Sequence, residues 1–198
     1  MSIAVVDSGG ANISSVLHAL RRLGSEPKFT CNPAEICAAN RVILPGVGAA
    51  GRAMEILNER GLVNVIQSLR QPVLGICLGM QLLFESSEED DAGLLGIIPG
   101  RLARLREGKG LRVPHMGWNA LTRQNQDPLT DPLENQWFYF VHSFAAPVGD
   151  WTLSSSTHGQ AFSAIVRKDN YYGAQFHPER SAKAGAQLLR GFLETPLS

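Results

Sequence analysis

The sequence predicts an α/β fold in which a mostly parallel central sheet is flanked by helices and extended by additional short antiparallel strands. Strand and helix patterns alternate through the first 84 residues, the arrangement that places helices on both faces of a parallel sheet. Ile3–Val6, Arg41–Leu44 and Pro72–Ile76 are short, nearly unbroken apolar runs, as expected of strands covered on both faces. The second half changes character, to shorter strand patterns joined by polar turns such as Gln124–Pro128.

The elements follow in order. Ile3–Val6 ends at Asp7-Ser8-Gly9-Gly10, and Asn12 is the expected N-cap of a helix carrying Ile13, Val16, Leu17, Leu20 and Leu23 at helical spacing, closed by Gly24. A weak strand at Lys28–Thr30 and a stronger one at Arg41–Leu44 come next. Helical patterns fill Arg52–Arg70 with a break near Gly61, and Pro72–Ile76 is a buried strand. Met80–Phe84 starts another helical pattern. Further strands are expected at Gly93–Leu105, Trp118–Leu121, Trp137–Val141, Thr152–Ser156, Ala164–Val166 and Tyr172–Gln175. A final helix spans Ser181–Leu193, with Ala182, Ala186, Leu189 and Leu193 on one face. No repeat, low-complexity tract or linker interrupts the chain, so residues 1–198 are expected to form a single domain.

Composition narrows the function. A chain of 198 residues can bury roughly 70% of its unfolded surface. Lysine plus arginine and aspartate plus glutamate number 18 each, which gives no global electrostatic case for nucleic acid or an anionic membrane. The start MSIAVVDSGG lacks the basic and apolar regions of a signal peptide, and no run approaches the ~20 apolar residues of a membrane span. The cysteines Cys31, Cys37 and Cys77 lack metal-ligand spacing, so free thiols in a reducing cytoplasm are expected, with no metal and no cofactor. Cys31 and Cys37 have no activating context.

Cys77 is different. Gly75-Ile76-Cys77-Leu78-Gly79 joins the Pro72–Ile76 strand to a helical pattern, as in the cysteine version of a nucleophile elbow. The turn is tight, and a Cβ at Gly75 or Gly79 would crowd neighbouring backbone. The sulfur is lifted to the sheet's C-terminal edge, facing a helix N-terminus that stabilises negative charge. A nucleophilic cysteine needs a base, and the base needs a partner that fixes its tautomer. Gln175-Phe176-His177-Pro178-Glu179 offers both at the end of the last strand. The competing reading is a surface loop with a solvated histidine and glutamate. Attack on a carboxamide also needs donors for the oxyanion. The Leu78 N–H is the natural first donor, and an N–H from Val47 or Gly48 in Leu44-Pro45-Gly46-Val47-Gly48 is the second.

The segments P-G-V-G, G-I-C-L-G-M-Q and F-H-P-E, in this order, resemble the triad-type (class I) glutamine amidotransferases, over essentially the whole chain. The resemblance implies a flavodoxin-like sheet and hydrolysis of glutamine to glutamate and ammonia. Within the family, Val113-Pro114-His115-Met116-Gly117-Trp118-Asn119 and Tyr139-Phe140-Val141-His142-Ser143-Phe144 are similar to the glutaminase subunits of imidazole glycerol phosphate synthases of histidine biosynthesis.

Carried over, the resemblance implies Cys77 as nucleophile, His177 as acid/base and Glu179 as its orienter. It also implies that Gln81, Glu89 and the backbone of His142 and Ser143 hold the substrate L-glutamine. Taken by themselves, Gln81 reads equally as an exposed helix residue and Glu88–Asp91 as a solvated charge run. Pro114, His115, Met116, Gly117, Trp118 and Asn119 read as a turn, either a buried loop around a core tryptophan or an interface anchor. The resemblance places this block and Asn12 against a partner, the cyclase subunit, in a heterodimer. It implies that Arg180, where some relatives carry lysine, bears on the coupling. His18 and His158 are expected to be structural or solvated. Free ammonia becomes ammonium in water, and the chain shows no P-loop or second nucleotide site to consume it. Transfer through a protected channel is therefore expected, with weak activity until partner and acceptor substrate arrive. The rivals are the glutaminase of another synthase (anthranilate, guanylate or pyridoxal phosphate), a non-catalytic module of the same fold, and a cysteine peptidase.

Overall fold

The computed structural model describes residues 1–9, 13–108 and 110–196, and its first half follows the alternation expected from the sequence. It runs β1 (Ile3–Val6), α1 (Ile13–Arg22), β2 (Pro27–Thr30), α2 (Pro33–Ala38), β3 (Arg41–Leu44), α3 (Ala50–Glu59), α4 (Val63–Gln67), β4 (Val73–Ile76) and α5 (Leu78–Gln81). The second half contains β5 (Phe84–Ser87), β6 (Ile98–Arg104), β7 (His115–Ala120), β8 (Thr122–Arg123), β9 (Trp137–His142) and β10 (Phe144–Ala145). It closes with β11 (Thr152–His158), β12 (Gln160–Lys168), β13 (Tyr171–Ala174) and α6 (Ala182–Glu194).

Eight strands form one sheet in the order β2-β1-β3-β4-β13-β12-β11-β8. The first five are parallel; β12, β11 and β8 continue it antiparallel. Within β1, Ile3 and Val5 join one apolar core with Val16 and Leu20 of α1 and Leu188 and Phe192 of α6. Ala4 and Val6 join the other, with Ile36 of α2, Leu57 of α3 and Ile66 of α4. Period-two alternation thus feeds two cores, and every residue of β1, β3, β4 and β13 is buried. The order β2-β1-β3-β4-β13 is that of a flavodoxin-like sheet, whose ligands lie outside the carboxyl ends of the strands. A smaller sheet, β10-β6-β5, and the pair β7-β9 flank that edge.

Local chemistry sets the helix ends. Gly24, at φ 80°, ends α1, and the Ser25 N–H bonds back to Leu20 O at 3.2 Å. The expected N-cap, Asn12, lies outside the described residues. Helix α2, which the sequence reading passed over, is started by Asn32, whose side chain accepts from the Ala34 N–H, and by Pro33 at its first position.

Four expectations change. The Met80–Phe84 run is no helix: α5 ends at Gln81, and Phe84 opens β5, paired with β6. Leu82, Leu83 and Phe84 are all fully buried, and an apolar run buried all round carries no period to tell a helix from a turn. The strand expected over Gly93–Leu105 begins only at Ile98, after Gly96 turns the chain at φ 64°. His115–Ala120 is a strand rather than a turn, laddered to β9 through all six residues. The apolar face of α6 is carried by Ala184, Leu188, Leu189, Phe192 and Leu193, whereas Ala182 is exposed.

The tight turn after β4 is real. A Cβ on Gly79 would stand 1.8 Å from Leu44 O, and one on Gly75 would stand 2.5 Å from Gly79 O. Backbone meets backbone there, so neither neighbour can yield by rotating a side chain. Gly79→Ala is expected to cost about 3 kcal/mol or more, while Gly93→Ala, which faces open space, is expected to stay within about 0.5 kcal/mol. Urea unfolding midpoints of the two variants check this pair.

Candidate active site

Cys77 stands at the junction of β4 and α5 with φ 53° and ψ −109°, a region that side chains other than glycine rarely occupy. The strain is held from the strand side, where the Cys77 N–H bonds to Ala174 O at 2.7 Å. The turn puts the sulfur at the carboxyl end of the sheet, as the elbow pattern requires. Its Sγ lies 3.8 Å from Val141 O and 3.9 Å from the Gln175 side-chain nitrogen.

His177 follows β13 and lies on the same sheet edge. Its Nδ1–H donates to Glu179 Oε1 at 2.8 Å, and both side chains are almost fully buried, at 6% and 3% exposure. The solvated-loop reading is therefore overturned. The loop is pinned by the His177 N–H to Tyr139 O, 2.9 Å, and by the Ser181 hydroxyl to His177 O, 2.7 Å. Glu179 fixes the tautomer, leaving Nε2 buried with no hydrogen-bond partner. Burial disfavours the imidazolium, but the neighbouring Cys77 and Glu179 outweigh it and raise the His177 pKa to about 10. Both neighbours thus favour the protonated ring, and one of them is a cysteine.

Pro45–Gly48 lies against the elbow, since Gly79 abuts Leu44 O and Pro45, and the Ser8 hydroxyl donates to Pro45 O at 2.8 Å. Pro45, Gly46, Val47, His177 and Glu179 line one narrow cleft, together with Ile13 and Val16 of α1 and Ile76 of β4. Gly48 is exposed at φ 108°. The Leu78 N–H sits at the first position of α5, where helix donors have no intrahelical acceptor.

Gln81 is buried rather than exposed on its helix. Its side-chain nitrogen donates to Phe144 O at 2.9 Å and to Gln175 Oε1 at 3.0 Å. Glu89 is half-buried, and its Oε2 accepts from the Ala50 N–H at 2.8 Å, placing a carboxylate at the start of α3 just beyond Gly48. Glu88 and Asp91 are tied as well, to the Arg104 N–H and to Arg101. Ser143 O accepts from the Leu105 N–H at 2.8 Å. Gln81 is thus linked to the sulfur through Gln175, His142 and Ser143 follow Val141, whose carbonyl lies 3.8 Å from Sγ, and Glu89 stands beside the glycine loop. Gln175 is the residue that the motif contained but that sequence reasoning gave no role.

His142 and His115 form a buried pair, with His142 Nε2 3.1 Å from His115 Nδ1. His142 Nδ1–H donates to Phe144 O at 2.9 Å, so Nε2 accepts from His115. His158 stacks on His115 with centroids 4.2 Å apart, while His18 is exposed. Burial lowers the His142 pKa to about 3 and the His115 pKa to about 4, with the histidine neighbours adding to the effect.

The block expected to meet a partner divides by strand alternation. Met116 and Trp118 are 64% and 49% exposed, and Pro114 is exposed beside them. His115 points inward at 5% exposure, so its side chain belongs to the interior rather than to a contact surface. Gly117 lies between the two exposed side chains, and Asn119 donates to Thr157 O at 2.7 Å. Arg180 lies over the Tyr139 ring at 5.0 Å, and Tyr139 meets Trp118 edge-on. Asn12 again lies outside the described residues. Cys31 and Cys37 are exposed free thiols. Among the described residues no group of histidine, cysteine and carboxylate side chains could hold a metal ion, and no helix is long and apolar enough to cross a membrane.

Known proteins resemble the chain over nearly its whole length. Residues 4–195 match the family described as Glutamine amidotransferase class-I. The chain is 51% identical to imidazole glycerol phosphate synthase subunit HisH of Xylella fastidiosa, over 97% of this chain and 96% of that protein. It is 50% identical to the subunit of the same name from Idiomarina loihiensis, over the full length of both. A crystal structure of a glutamine amidotransferase superposes with a TM-score of 0.74 at 21% identity, covering 97% of each chain. A second, from Thermotoga maritima, gives 0.66 at 15% identity, over 98% of this chain and 83% of that one. At these identities the structural likeness is one of fold.

The buried histidines make a pH prediction. A pKa lower in the folded than in the unfolded chain means that the unfolded state binds more protons, so stability is full above about pH 6.5 and falls as the pH drops toward 4 and then 3. Replacing His142 by asparagine is expected to flatten the decline of Tm between pH 6.5 and 4, as read by thermal melts across that range.

Proposed function

The chain belongs to the class I glutamine amidotransferases, and on that premise we propose that it is the glutaminase subunit of an imidazole glycerol phosphate synthase. It hydrolyses L-glutamine to L-glutamate and ammonia. The ammonia passes to a cyclase subunit that makes imidazole glycerol phosphate and aminoimidazole carboxamide ribotide in histidine biosynthesis. The observation that carries the chemistry is the buried His177–Glu179 pair beside Cys77, with Nε2 left without a partner.

In our reading the resting site holds an imidazolium–thiolate pair. The Cys77 sulfur attacks the side-chain carboxamide carbon of glutamine, forming the S–C bond while the carbonyl electrons move onto oxygen. The Leu78 N–H and an N–H from Val47 or Gly48 receive that oxyanion, a term worth about 3 kcal/mol per donor in comparable sites. His177 gives its proton to the nitrogen, the C–N bond breaks and ammonia leaves. The neutral ring then takes a proton from water, and hydroxide adds to the thioester. Loss of the sulfur as thiolate yields glutamate and restores the pair. Gln81, Glu89 and the His142–Ser143 backbone hold the substrate, with Glu89 paired to its α-ammonium.

The face offered to the cyclase is Met116, Trp118 and Arg180, with Pro114, Gly117 and Asn119 around it. Aromatic and arginine side chains are the common anchors of such contacts. The whole chain acts as one domain in a heterodimer, in the cytoplasm. The 50% identity to proteins named for this synthase supports it over a subunit of another synthase.

Three measurements test the reading. Cys77→Ala is expected to lower ammonia release from glutamine by about 1,000-fold or more without loss of folding. A glutamine-analogue electrophile should label Cys77 in the parent chain, and an unlabelled Cys77 would reject the catalytic role. Glutaminase turnover should be low for the chain alone and rise by at least about tenfold with the cyclase and its substrate. Equal turnover in both states would reject activation by the partner.

A further inference from the structure

We propose that Gln175 is a positioning residue whose side-chain amide donates to the Cys77 sulfur and holds it, as thiolate, in the orientation from which it attacks. The proposal rests on the reading of Cys77 as nucleophile. Gln175 is fully buried, and its Nε2 is 3.9 Å from Sγ. That is a long contact for a neutral thiol, a weak acceptor, and one that a charged sulfur shortens.

The direction of the Gln175 amide follows from its neighbours. Phe144 O can only accept, so Gln81 must face it with nitrogen, as it does at 2.9 Å. The same nitrogen supplies its other hydrogen to Gln175 Oε1 at 3.0 Å. With its oxygen occupied, Gln175 must turn its nitrogen to the sulfur. Flipping it would face two donors against each other at Gln81 and leave an oxygen against the thiolate. The orientation is anchored at the far end too, because His142 also donates to Phe144 O.

Strand geometry explains why this residue is available. Gln175 and His177 follow the end of β13, where the chain bends, and both stand near Cys77, whereas Phe176 packs on Phe138, with centroids 4.1 Å apart. The sulfur also has two distinct neighbours for its two charge states. A thiol can donate to Val141 O at 3.8 Å, and a thiolate can accept from Gln175. Ionisation thus trades a carbonyl contact for an amide contact, drawing the sulfur toward the side on which Gln175 stands. The titratable groups on the elements around it are His177 and Glu179 after β13 and His142 on β9. Of these, only His177 acts directly on the sulfur.

The test is the pH profile of Cys77 alkylation by iodoacetamide in the full chain, read by peptide mass spectrometry, with exposed Cys31 and Cys37 as internal controls. Gln175→Glu keeps an oxygen for Gln81 and replaces the donor by an acceptor. Gln175→Met removes the amide at similar volume. Both are expected to move the Cys77 profile alkaline, Q175E by about one pH unit or more, which is about a tenfold change in the thiol's ionisation constant. The controls should not move. The kcat for glutamine should fall in parallel, with KM within about twofold. Should Q175M fail to fold, Q175E decides alone, since it preserves the bond to Gln81. A Cys77 profile in folded Q175E that overlays the parent's would overturn the proposal. A parent Cys77 that reacts no faster than Cys31 and Cys37 at any pH would overturn the nucleophile reading and this proposal with it.

Discussion

The parallel pairing of β4 with β13 positions everything at the site. The ladder sets Val73 opposite Tyr171 and Ile76 opposite Ala174, and the Cys77 N–H closes it on Ala174 O. One residue further, each chain leaves the sheet, β4 into the elbow and β13 into Gln175–Glu179. Cys77 and His177 therefore emerge side by side because two strands are in register. A slip of one residue would reverse the faces and turn Gln175 and His177 away from the sulfur. On the other flank, β3 pairs with β4 and delivers Pro45–Gly48 to the same edge. Three adjacent strands supply three parts of one chemistry.

The register is protected by making the alternatives crowded. Gly79 abuts Leu44 O and Gly75 abuts the elbow helix, so the turn has no room to relax its positive φ. A cysteine held in that conformation is rigid by default, and small amide contacts can then set where its sulfur points. Electrostatics reinforce the same state. Taken alone, burial would neutralise His177, but Glu179 behind it and Cys77 in front keep the proton on the ring. The nearby His142 and His115 show what the same burial does where no carboxylate stands behind the ring: both are held neutral.

Much of this was legible in the chain itself. Alternation marked the parallel sheet, the glycines around Cys77 marked the tight turn, and His177-Pro178-Glu179 marked a histidine and a glutamate that the structure pairs. What stayed hidden shares one cause, since side-chain contacts between distant segments leave no local pattern. Gln81 reads as an ordinary helix residue until its bonds to Phe144 O and Gln175 are seen. Pro114–Asn119 reads as a turn because proline and glycine dominate it, whereas the ladder to Trp137–His142 makes most of it a strand. That ladder sends His115 inward and leaves Met116 and Trp118 outside. Leu82–Phe84 misled for the opposite reason, being apolar on every side.

The contact between Gln175 and Cys77 spans 98 residues of chain. During synthesis the thiol is made long before its base, and the strand that brings the base is the last to enter the sheet. A ribosome-bound chain that ends anywhere before β13 carries the cysteine without a general acid, in a sheet still lacking its central neighbour. Cys77 thus gains Gln175 and His177 as neighbours only once β13 and the segment after it have been made.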